Sequence, residues 1–156
     1  MQDLQEEDIF LGYVWQLIRC GKLPEAIDLC KQYKQAWRAA SLSGGRCDLR
    51  TSLLTAKAVT GNRRRLLWKR TCRKLAESEQ GTSFEKAIYG VLGGSLESVC
   101  SVQCFTWEDW CWAHFKILAE DLQDRVIAAV VRLSRLYGIV FNHGWLWTRH
   151  RRCRLR

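Results

Sequence analysis

The sequence predicts an all-α protein, and three features lead to that prediction. Apolar residues recur at steps of three and four over several stretches, which is the spacing of one face of an α-helix. The 156 residues include a single proline, the residue that a helix interior tolerates least. Glycines and residues typical of helix caps separate the periodic stretches. We therefore expect antiparallel helix pairs joined by short turns and stacked as an irregular α-solenoid.

Residues 8–43 predict a helical hairpin around which the rest of the chain is organised. The apolar face of its first helix consists of Ile9, Phe10, Tyr13, Val14, Leu17 and Ile18. Gly21 follows as a cap that can adopt a left-handed conformation, and Pro24 suits the first turn of the next helix. The second helix is expected to run unbroken, with an apolar stripe of Ala26, Ile27, Leu29, Cys30, Tyr33, Ala36, Trp37 and Ala40.

Two further helices are expected in the middle of the chain, after an irregular loop over residues 46–62. The third helix should run from about Arg63 to Glu79, with an apolar face of Leu67, Trp68, Cys72, Leu75 and Ala76. Thr82 and Glu85 have the spacing of a capping box. They should open a fourth helix that ends at the glycine pair of residues 93–94.

The C-terminal third predicts a short helix from Ser95 to Val99, a connector over Cys100–Phe105 and a second capping pair, Thr106 with Asp109. The sixth helix, about 107–122, should bury some of Trp107, Trp110, Cys111, Phe115 and Leu118, and a seventh is expected over about 124–137. Because positions two apart on a helix diverge by about 160°, Trp107, Trp110 and Trp112 cannot all point the same way.

The positive charge lies at one end of the chain. The net charge is +9, but residues 1–124 contain 17 basic and 16 acidic residues, whereas residues 125–156 contain eight arginines and no acid. We therefore divide the chain into a helical part, 1–124, and a basic tail, 125–156. With no signal-peptide pattern and no run near the roughly 20 apolar residues of a membrane span, we expect an intracellular, soluble chain without a membrane span.

Cysteine and histidine residues raise the possibility of a metal site. Cys100, Cys104, Cys111 and His114 lie within fifteen residues of one another, but their spacing lacks the close pairs of zinc fingers. We expect no bound zinc and no cofactor. Without a secretory signal, the eight cysteines are expected to be free thiols that act as small apolar residues.

Catalytic chemistry finds no support in the sequence. A nucleophile needs a base within hydrogen-bond reach, and the three histidines form no recognisable pattern with a cysteine or serine. The glycine pairs at 44–45 and 93–94 end helices and do not resemble phosphate-binding loops. We expect no enzyme and no small-molecule substrate.

Two basic regions could bind nucleic acid. The third helix would carry a stripe of Arg63, Arg64, Arg65, Lys69, Arg70 and Arg73, continued by Lys74. We favour a solvated face, or one that contacts an acidic neighbour, as its interpretation. The tail places Trp145 and Trp147 among arginines, the combination that sequence-tolerant single-strand binders use.

Three stretches of the sequence, in the same order, resemble the nucleoporin-107 (yeast nucleoporin-84) family. They are YVWQLIR from Tyr13, with QAWRAA from Gln35; EKAIYG from Glu85; and TWED from Thr106, with WAHF from Trp112. The motif residues, expected in the core or at an interface, are Tyr13, Trp15, Leu17, Ala36, Trp37, Arg38, Ala39, Ala40, Ala87, Ile88, Tyr89, Trp107, Glu108, Asp109, Trp112 and Phe115. Family members are several times longer, so the chain resembles an internal fragment.

The resemblance covers residues 8–124 and is expected to end there. The sequence after Asp124 matches no pattern of the family that we can place. We hypothesise that residues 125–156 come from a truncated or alternatively spliced product, or from a gene model that reads through an intron.

The resemblance implies a scaffold function. It implies helical hairpins of the ancestral coatomer type in the Y-shaped outer-ring complex of the nuclear pore, at the nuclear envelope, where they would support pore assembly and transport of protein and messenger RNA. Nucleoporin-133-like and nucleoporin-96-like proteins would be the partners. A nucleic-acid-binding module acting through the basic regions and a coatomer-like vesicle-coat module are the alternatives.

Overall fold

The structure, a computed structural model, describes residues 2–45, 47–48, 60–62 and 64–136, with side chains for 5–45, 62 and 64–132. Within these ranges the fold is all-α, as predicted. The helices are α1 (Gln2–Arg19), α2 (Leu23–Gln32), α3 (Ala36–Ser43), α4 (Arg65–Glu77), α5 (Ser83–Gly93), α6 (Leu96–Gln103) and α7 (Trp107–Leu136). None of these described helices combines the length and apolar character that crossing a membrane requires.

The described residues form two compact units. The first contains α1 to α6 and the part of α7 that ends at Leu122. The second contains the remainder of α7 and a short antiparallel ladder, in which β1 (Cys47–Asp48) pairs with β2 (Thr60–Gly61). We expected a mostly irregular loop over residues 46–62. Two residues near each end of that segment, β1 and β2, instead pair with each other.

Left-handed residues end three of the helices. Gly21, at φ 74°, ends α1 as predicted, and the Lys22 N–H donates to the Leu17 carbonyl at 2.8 Å. Gly94, at φ 72°, ends α5 in the same way. Such residues let the last carbonyls of a helix find donors, and glycine suits them because it has no Cβ.

The expected second helix is in fact two helices, α2 and α3. Lys34 takes the left-handed conformation at φ 59°, and the Gln35 N–H donates to the Cys30 carbonyl at 2.8 Å. This is the same helix-ending hydrogen bond that Gly21 makes possible. The apolar period continues through the break, which is why the sequence did not reveal it.

Both predicted capping pairs are confirmed. The Thr82 hydroxyl accepts from the Glu85 N–H at 3.3 Å at the start of α5. At the start of α7, Thr106 Oγ1 accepts from the Asp109 N–H at 3.3 Å, and Asp109 Oδ2 accepts from the Thr106 N–H at 3.1 Å. Each pair satisfies backbone donors that a helix start leaves without partners.

Two predicted boundaries in the C-terminal third are wrong. Helix α6 runs to Gln103, so four of the six residues of the expected connector are helical. The expected sixth and seventh helices are one continuous helix, α7, because no glycine or proline occurs near residue 123 to interrupt it. The predicted stop at Gly138 lies outside the described residues.

The core lies where α1 packs against α2 and α5. Leu11 and Val14 are fully buried and Trp15 is 2% exposed, whereas Ile9 and Tyr13 are 62% and 64% exposed. The apolar face of α1 is thus wider than the surface that its neighbours cover. Ile9 and Tyr13 belong to the predicted apolar face but lie outside the part of it that is buried.

Helices α4 and α7 also bury less than predicted. On α4, Cys72 and Ala76 are buried, whereas Leu67 and Leu75 are exposed. On α7 we expected some of five residues to be buried, but four of them, Trp107, Trp110, Phe115 and Leu118, are exposed, and the buried residue is instead Ala113. The three tryptophans do diverge as predicted, since Trp112 alone packs against the core.

Candidate scaffold interface

A buried arginine joins three helices at the centre of the first unit. Arg38, only 2% exposed, donates to Glu85 on α5 at 2.9 Å and to Glu7 on α1 at 3.0 Å. Its Nε donates to Gln35 Oε1 at 2.8 Å, and the Trp37 ring lies 4.4 Å from its guanidinium carbon. Because charge-assisted hydrogen bonds are directional, this one side chain fixes α3 against α1 and α5.

A second contact holds the start of α7 against the end of α1. The rings of Trp15 and Trp112 meet edge to face, with centroids 5.5 Å apart. The Trp112 indole N–H donates to the Arg19 carbonyl at 3.2 Å, and the Arg19 side chain pairs with Asp109. Desolvation acts to raise the pKa of Asp109. The hydrogen bonds from Arg19 and Thr106 lower it by more than desolvation raises it, so the pKa of Asp109 lies below its ordinary value.

The family-motif residues divide into three groups by exposure. The buried ones are Trp15, Arg38, Ala39, Ala87, Ile88 and Tyr89. The half-buried ones are Leu17, Asp109 and Trp112. The exposed ones are Tyr13, Ala36, Trp37, Ala40, Trp107, Glu108 and Phe115. A core position accounts for the first group, and an interface role for the third stays a prediction.

An apolar groove runs along the outer side of α1 and α2. It has a volume of about 770 Å³ and is lined by Ile9, Tyr13, Leu17, Leu29 and Tyr33, among others. The ring of Tyr33, predicted as part of a buried stripe, is instead an exposed wall of this groove. A groove of this kind fits the apolar face of a helix better than it fits a small polar molecule.

A second apolar surface follows the outer side of α7. Trp107, Phe115, Leu118 and Leu122 are each at least half exposed and recur at helical spacing. Their helical spacing is visible in the sequence, from which we expected some of Trp107, Phe115 and Leu118 to be buried. The signal that could have corrected this is the small Ala113, which lies on the opposite side and allows close packing there.

The predicted basic stripe on α4 is only partly exposed. Arg64 and Arg70 are exposed, and Lys69 is half-buried. Arg73 is exposed and donates to the Gly93 carbonyl at 3.1 Å. The residues Arg63, Trp145 and Trp147 lie outside the described residues.

Arg65 does not belong to an exposed stripe, which corrects the prediction for this residue. It is 7% exposed. Its Nη2 pairs with Glu120 on α7 at 2.9 Å, and its Nη1 donates to the Gly45 carbonyl. Burial acts to raise the pKa of Glu120, but Lys116 and Arg65 lower it by more, so its pKa is below the ordinary value. From the sequence we considered an acidic neighbour for this basic helix, and at Arg65 that neighbour is Glu120.

The six cysteines with described side chains are free thiols. The Cys100 and Cys104 sulfurs lie 3.7 Å apart, and burial, followed by the neighbouring Cys100, raises the pKa of Cys104 to about 11. Burial likewise raises the pKa of Cys72 to about 11. A high pKa keeps these thiols protonated at neutral pH, and the thiolate is the form that attacks substrates and binds metals.

The candidate metal ligands are not arranged around a common point. His114 Nδ1 lies 2.9 Å from the Trp110 carbonyl oxygen, and its ring lies 3.6 Å from the Trp110 ring. Within the described part of the chain, no three His, Cys, Asp or Glu side chains are grouped to hold a metal ion.

Sequence reasoning missed the acidic partners of the two buried arginines. Glu7 and Glu85 meet Arg38, and Glu120 meets Arg65, from positions 31, 47 and 55 residues away. No local pattern links residues so far apart. Only the packing of the helices brings them together.

Comparison with protein families and curated proteins agrees with this architecture. Residues 1–144 match the family described as nuclear pore protein 84 / 107. The match extends past residue 124, so our expectation that the resemblance ends there is wrong for residues 125–144.

Individual relatives are similar over most of the chain. Nuclear pore complex protein Nup107 of Rattus norvegicus is 38% identical over 136 residues, which are 84% of this chain and 15% of the relative. The Homo sapiens protein of the same name gives the same values. Nucleoporin nup107 of Schizosaccharomyces pombe is 37% identical over 114 residues, 71% of this chain and 14% of the relative.

The chain thus spans about 15% of the length of the mammalian relatives that it matches. The matched residues include the buried arginine of α3 and the tryptophan pair, which hold helices together, and both capping pairs, which begin α5 and α7. On this similarity the chain belongs to the nuclear pore protein 84 / 107 family.

Proposed function

We propose that this chain is a structural element of the outer-ring, Y-shaped scaffold of the nuclear pore, where it supports pore assembly and transport of protein and messenger RNA. The observation that carries the proposal is the 38% identity over 136 residues to proteins named nuclear pore complex protein Nup107. The chain would act at the nuclear envelope, as part of that scaffold.

The geometry supports a scaffold role in two ways. Arg38 and Arg65 are buried ionic contacts that fix helices against each other. The surface presents an apolar groove on α1 and α2 and an apolar stripe on α7. Exposed apolar surfaces on a rigid frame are typical of sites where other proteins dock.

The proposed partners are other scaffold nucleoporins, of the nucleoporin-133-like and nucleoporin-96-like kinds. Aromatic residues dominate the energetics of protein interfaces, and Tyr13, Trp37 and Trp107 are each more than half exposed. The proposed role requires geometry alone, with no substrate and no cofactor. The raised pKa values of Cys72 and Cys104 agree with thiols that serve packing and not chemistry.

Affinity capture tests this proposal. The full chain would be tagged, incubated with cell extract and washed at low and at high salt, and bound proteins and nucleic acid would be identified. We expect scaffold nucleoporins to stay bound through the high-salt wash, because apolar contacts are insensitive to screening. A matched variant, Tyr13→Glu, should retain the fold and lose partners that occupy the groove.

The nucleic-acid alternative predicts a different outcome of the same experiment. Its support is the exposed Arg64 and Arg70 on α4, together with the arginines beyond residue 124. Binding through phosphates releases counterions and weakens steeply with salt. Nucleic acid that binds at low salt and washes off at high salt, with no nucleoporin retained, would contradict the scaffold proposal and support this alternative.

A further inference from the structure

Helix α7 carries a continuous apolar stripe on its outer side. Trp107, Cys111, Phe115, Leu118 and Leu122 follow one another at steps of three or four residues, which keeps them on one side of the helix. The exposed fractions of the four large side chains are 73%, 71%, 52% and 52% in chain order. All five residues belong to the first compact unit.

The opposite side of α7 already has its partners. Ala113 is fully buried, Trp112 packs on Trp15, and Glu120 pairs with Arg65. A helix that is packed on one side and apolar on the other resembles a helix buried from two sides. The outer stripe is therefore a surface still to be covered, beyond the contacts that hold α7 in the fold.

The size of the stripe suits a weak but specific interface. An aromatic side chain buries about 150–250 Å², and Trp107 and Phe115 are each more than two-thirds exposed. With the two half-exposed leucines, each copy would contribute roughly 500 Å² of apolar surface. Two such faces reach the total of about 1,000 Å² at which specific interfaces begin.

The spacing of the stripe is self-complementary when two copies run antiparallel. A two-fold axis between residues 116 and 117 places Phe115 of one copy against Leu118 of the other. The same axis places Cys111 against Leu122, and Trp107 closes the seam at each end. In a two-fold interface each contact occurs twice, so the two pairings each set a larger side chain against a smaller one at two places in the seam.

We propose that the α7 stripe pairs with the same stripe of a second copy of this chain, antiparallel and two-fold symmetric. This self-association goes beyond the proposed function and does not depend on it. The test below contains no pore protein, so its failure would leave the scaffold proposal intact.

Sedimentation velocity of the full chain under reducing conditions tests the proposal over roughly 1–100 µM, the range of weak specific complexes. We expect a monomer–dimer equilibrium with a micromolar dissociation constant. Leu118→Glu places a charge at the centre of the seam and should weaken dimerisation by at least about tenfold. The matched control is Leu67→Glu, on α4, where the side chain is 58% exposed and dimerisation should be unchanged.

Circular dichroism of both variants checks that the helices are intact, as expected at exposed positions. A wild-type chain that is monomeric up to about 100 µM would overturn the proposal and leave the stripe to a different protein. A dimer that Leu67→Glu weakens as much as Leu118→Glu would also overturn it.

Oxidative cross-linking of Leu122→Cys tests the register directly. The new thiol should lie opposite Cys111 of the second copy, within the reach of a disulfide. We expect a covalent dimer in which mass spectrometry links the peptide of position 122 to that of Cys111. A dimer by sedimentation without this link would refute the antiparallel register.

Discussion

At the scale of single residues, the buried Arg38 is the central polar contact of the core. Its guanidinium is buried, while its partners Glu7 and Glu85 are 42% and 25% exposed in their side chains. Without the arginine, the Glu7 and Glu85 carboxylates would lose the cation between them and would repel each other. The cost is moderated because water reaches both carboxylates.

We therefore expect Arg38→Met to lower the free energy of unfolding by about 2–4 kcal/mol. Urea denaturation followed by circular dichroism measures this change. Arg70→Met, at an exposed position on α4, is the control and should change the stability by less than about 0.5 kcal/mol. Equal effects of the two variants would show that Arg38 is not the central contact.

Lys34 offers the opposite case, a residue whose replacement should stabilise the protein. Its φ of 59° costs a residue with a Cβ about 1 kcal/mol or more, and glycine avoids that cost. We expect Lys34→Gly to raise the free energy of unfolding by about 0.5–1 kcal/mol. Lys34→Ala keeps the Cβ and should give no such gain; a similar gain from both would mean that backbone strain is not the cause.

Residue identity alone predicted the caps and the glycine stops, because these depend on neighbours within a few positions. The sequence could not reveal the break at Lys34, since lysine is a good helix former and the apolar period passes through it. Nor could it assign Arg65 to a buried pair, because Glu120 is 55 residues away.

At the scale of helices, α4 and α5 lie close to each other at Gly93. A Cβ there would lie 2.6 Å from the Arg73 backbone nitrogen, a distance that only movement of the helices can relieve. We expect Gly93→Ala to lower the free energy of unfolding by about 1–3 kcal/mol. Thermal denaturation measures the loss as a lower Tm.

Gly12 is the matched control for that substitution. It also lies within a helix, but a Cβ there would meet the Phe84 ring at an ordinary 3.5 Å. Because alanine favours helix over glycine by about 1 kcal/mol, Gly12→Ala should leave stability unchanged or raise it. If both substitutions lowered the Tm equally, close packing at Gly93 would not be the reason.

The contact between α4 and α7 should make stability depend on pH. The pKa of Glu120 lies below its ordinary value in the folded state, because Lys116 and Arg65 favour the ionised carboxylate. The ionised carboxylate therefore stabilises the fold above about pH 4.5, and that contribution is lost as the pH falls through the lower folded-state pKa.

We expect the Tm of the wild-type chain to fall more between about pH 5 and 3 than that of Glu120→Gln. The variant should retain some pH dependence, because the pKa of Asp109 is also lowered. Glu97→Gln, at an exposed position, serves as the control and should follow the wild type. Parallel curves for Glu120→Gln and the wild type would contradict the role of this pair.

The positions of the helices could be predicted from the sequence, but the side of each helix that faces the core could not. The 3.6-residue period identified α1, α4, α5 and α7, because periodicity is local. Which side of α7 faces inward depends on the shapes of α1 and α4 across from it. Trp107 and Phe115, two of the residues among which we expected some to be buried, lie on the outward side, and the small Ala113 is buried on the other side.

At the scale of the whole molecule, the chain is a packed helical frame with apolar surfaces left exposed. Its buried ionic contacts connect helices to one another, and among the described residues no three His, Cys, Asp or Glu side chains are grouped to hold a metal ion. The exposed aromatic residues on α1, α2 and α7 suit contacts with other proteins. This combination agrees with a scaffold segment of the nuclear pore protein 84 / 107 family.

The measurement that tests this account most directly is the location of the full chain in living cells. A fluorescent tag would be added at either end, and the chain expressed at low level with a marked nuclear pore protein. For a pore scaffold segment we expect a punctate nuclear rim that coincides with the pores, and loss of that rim in Arg38→Met, which weakens the packing of the helices. Signal on chromatin, as a nucleic-acid-binding module would give, or on cytoplasmic vesicles, as a coat module would give, would contradict it.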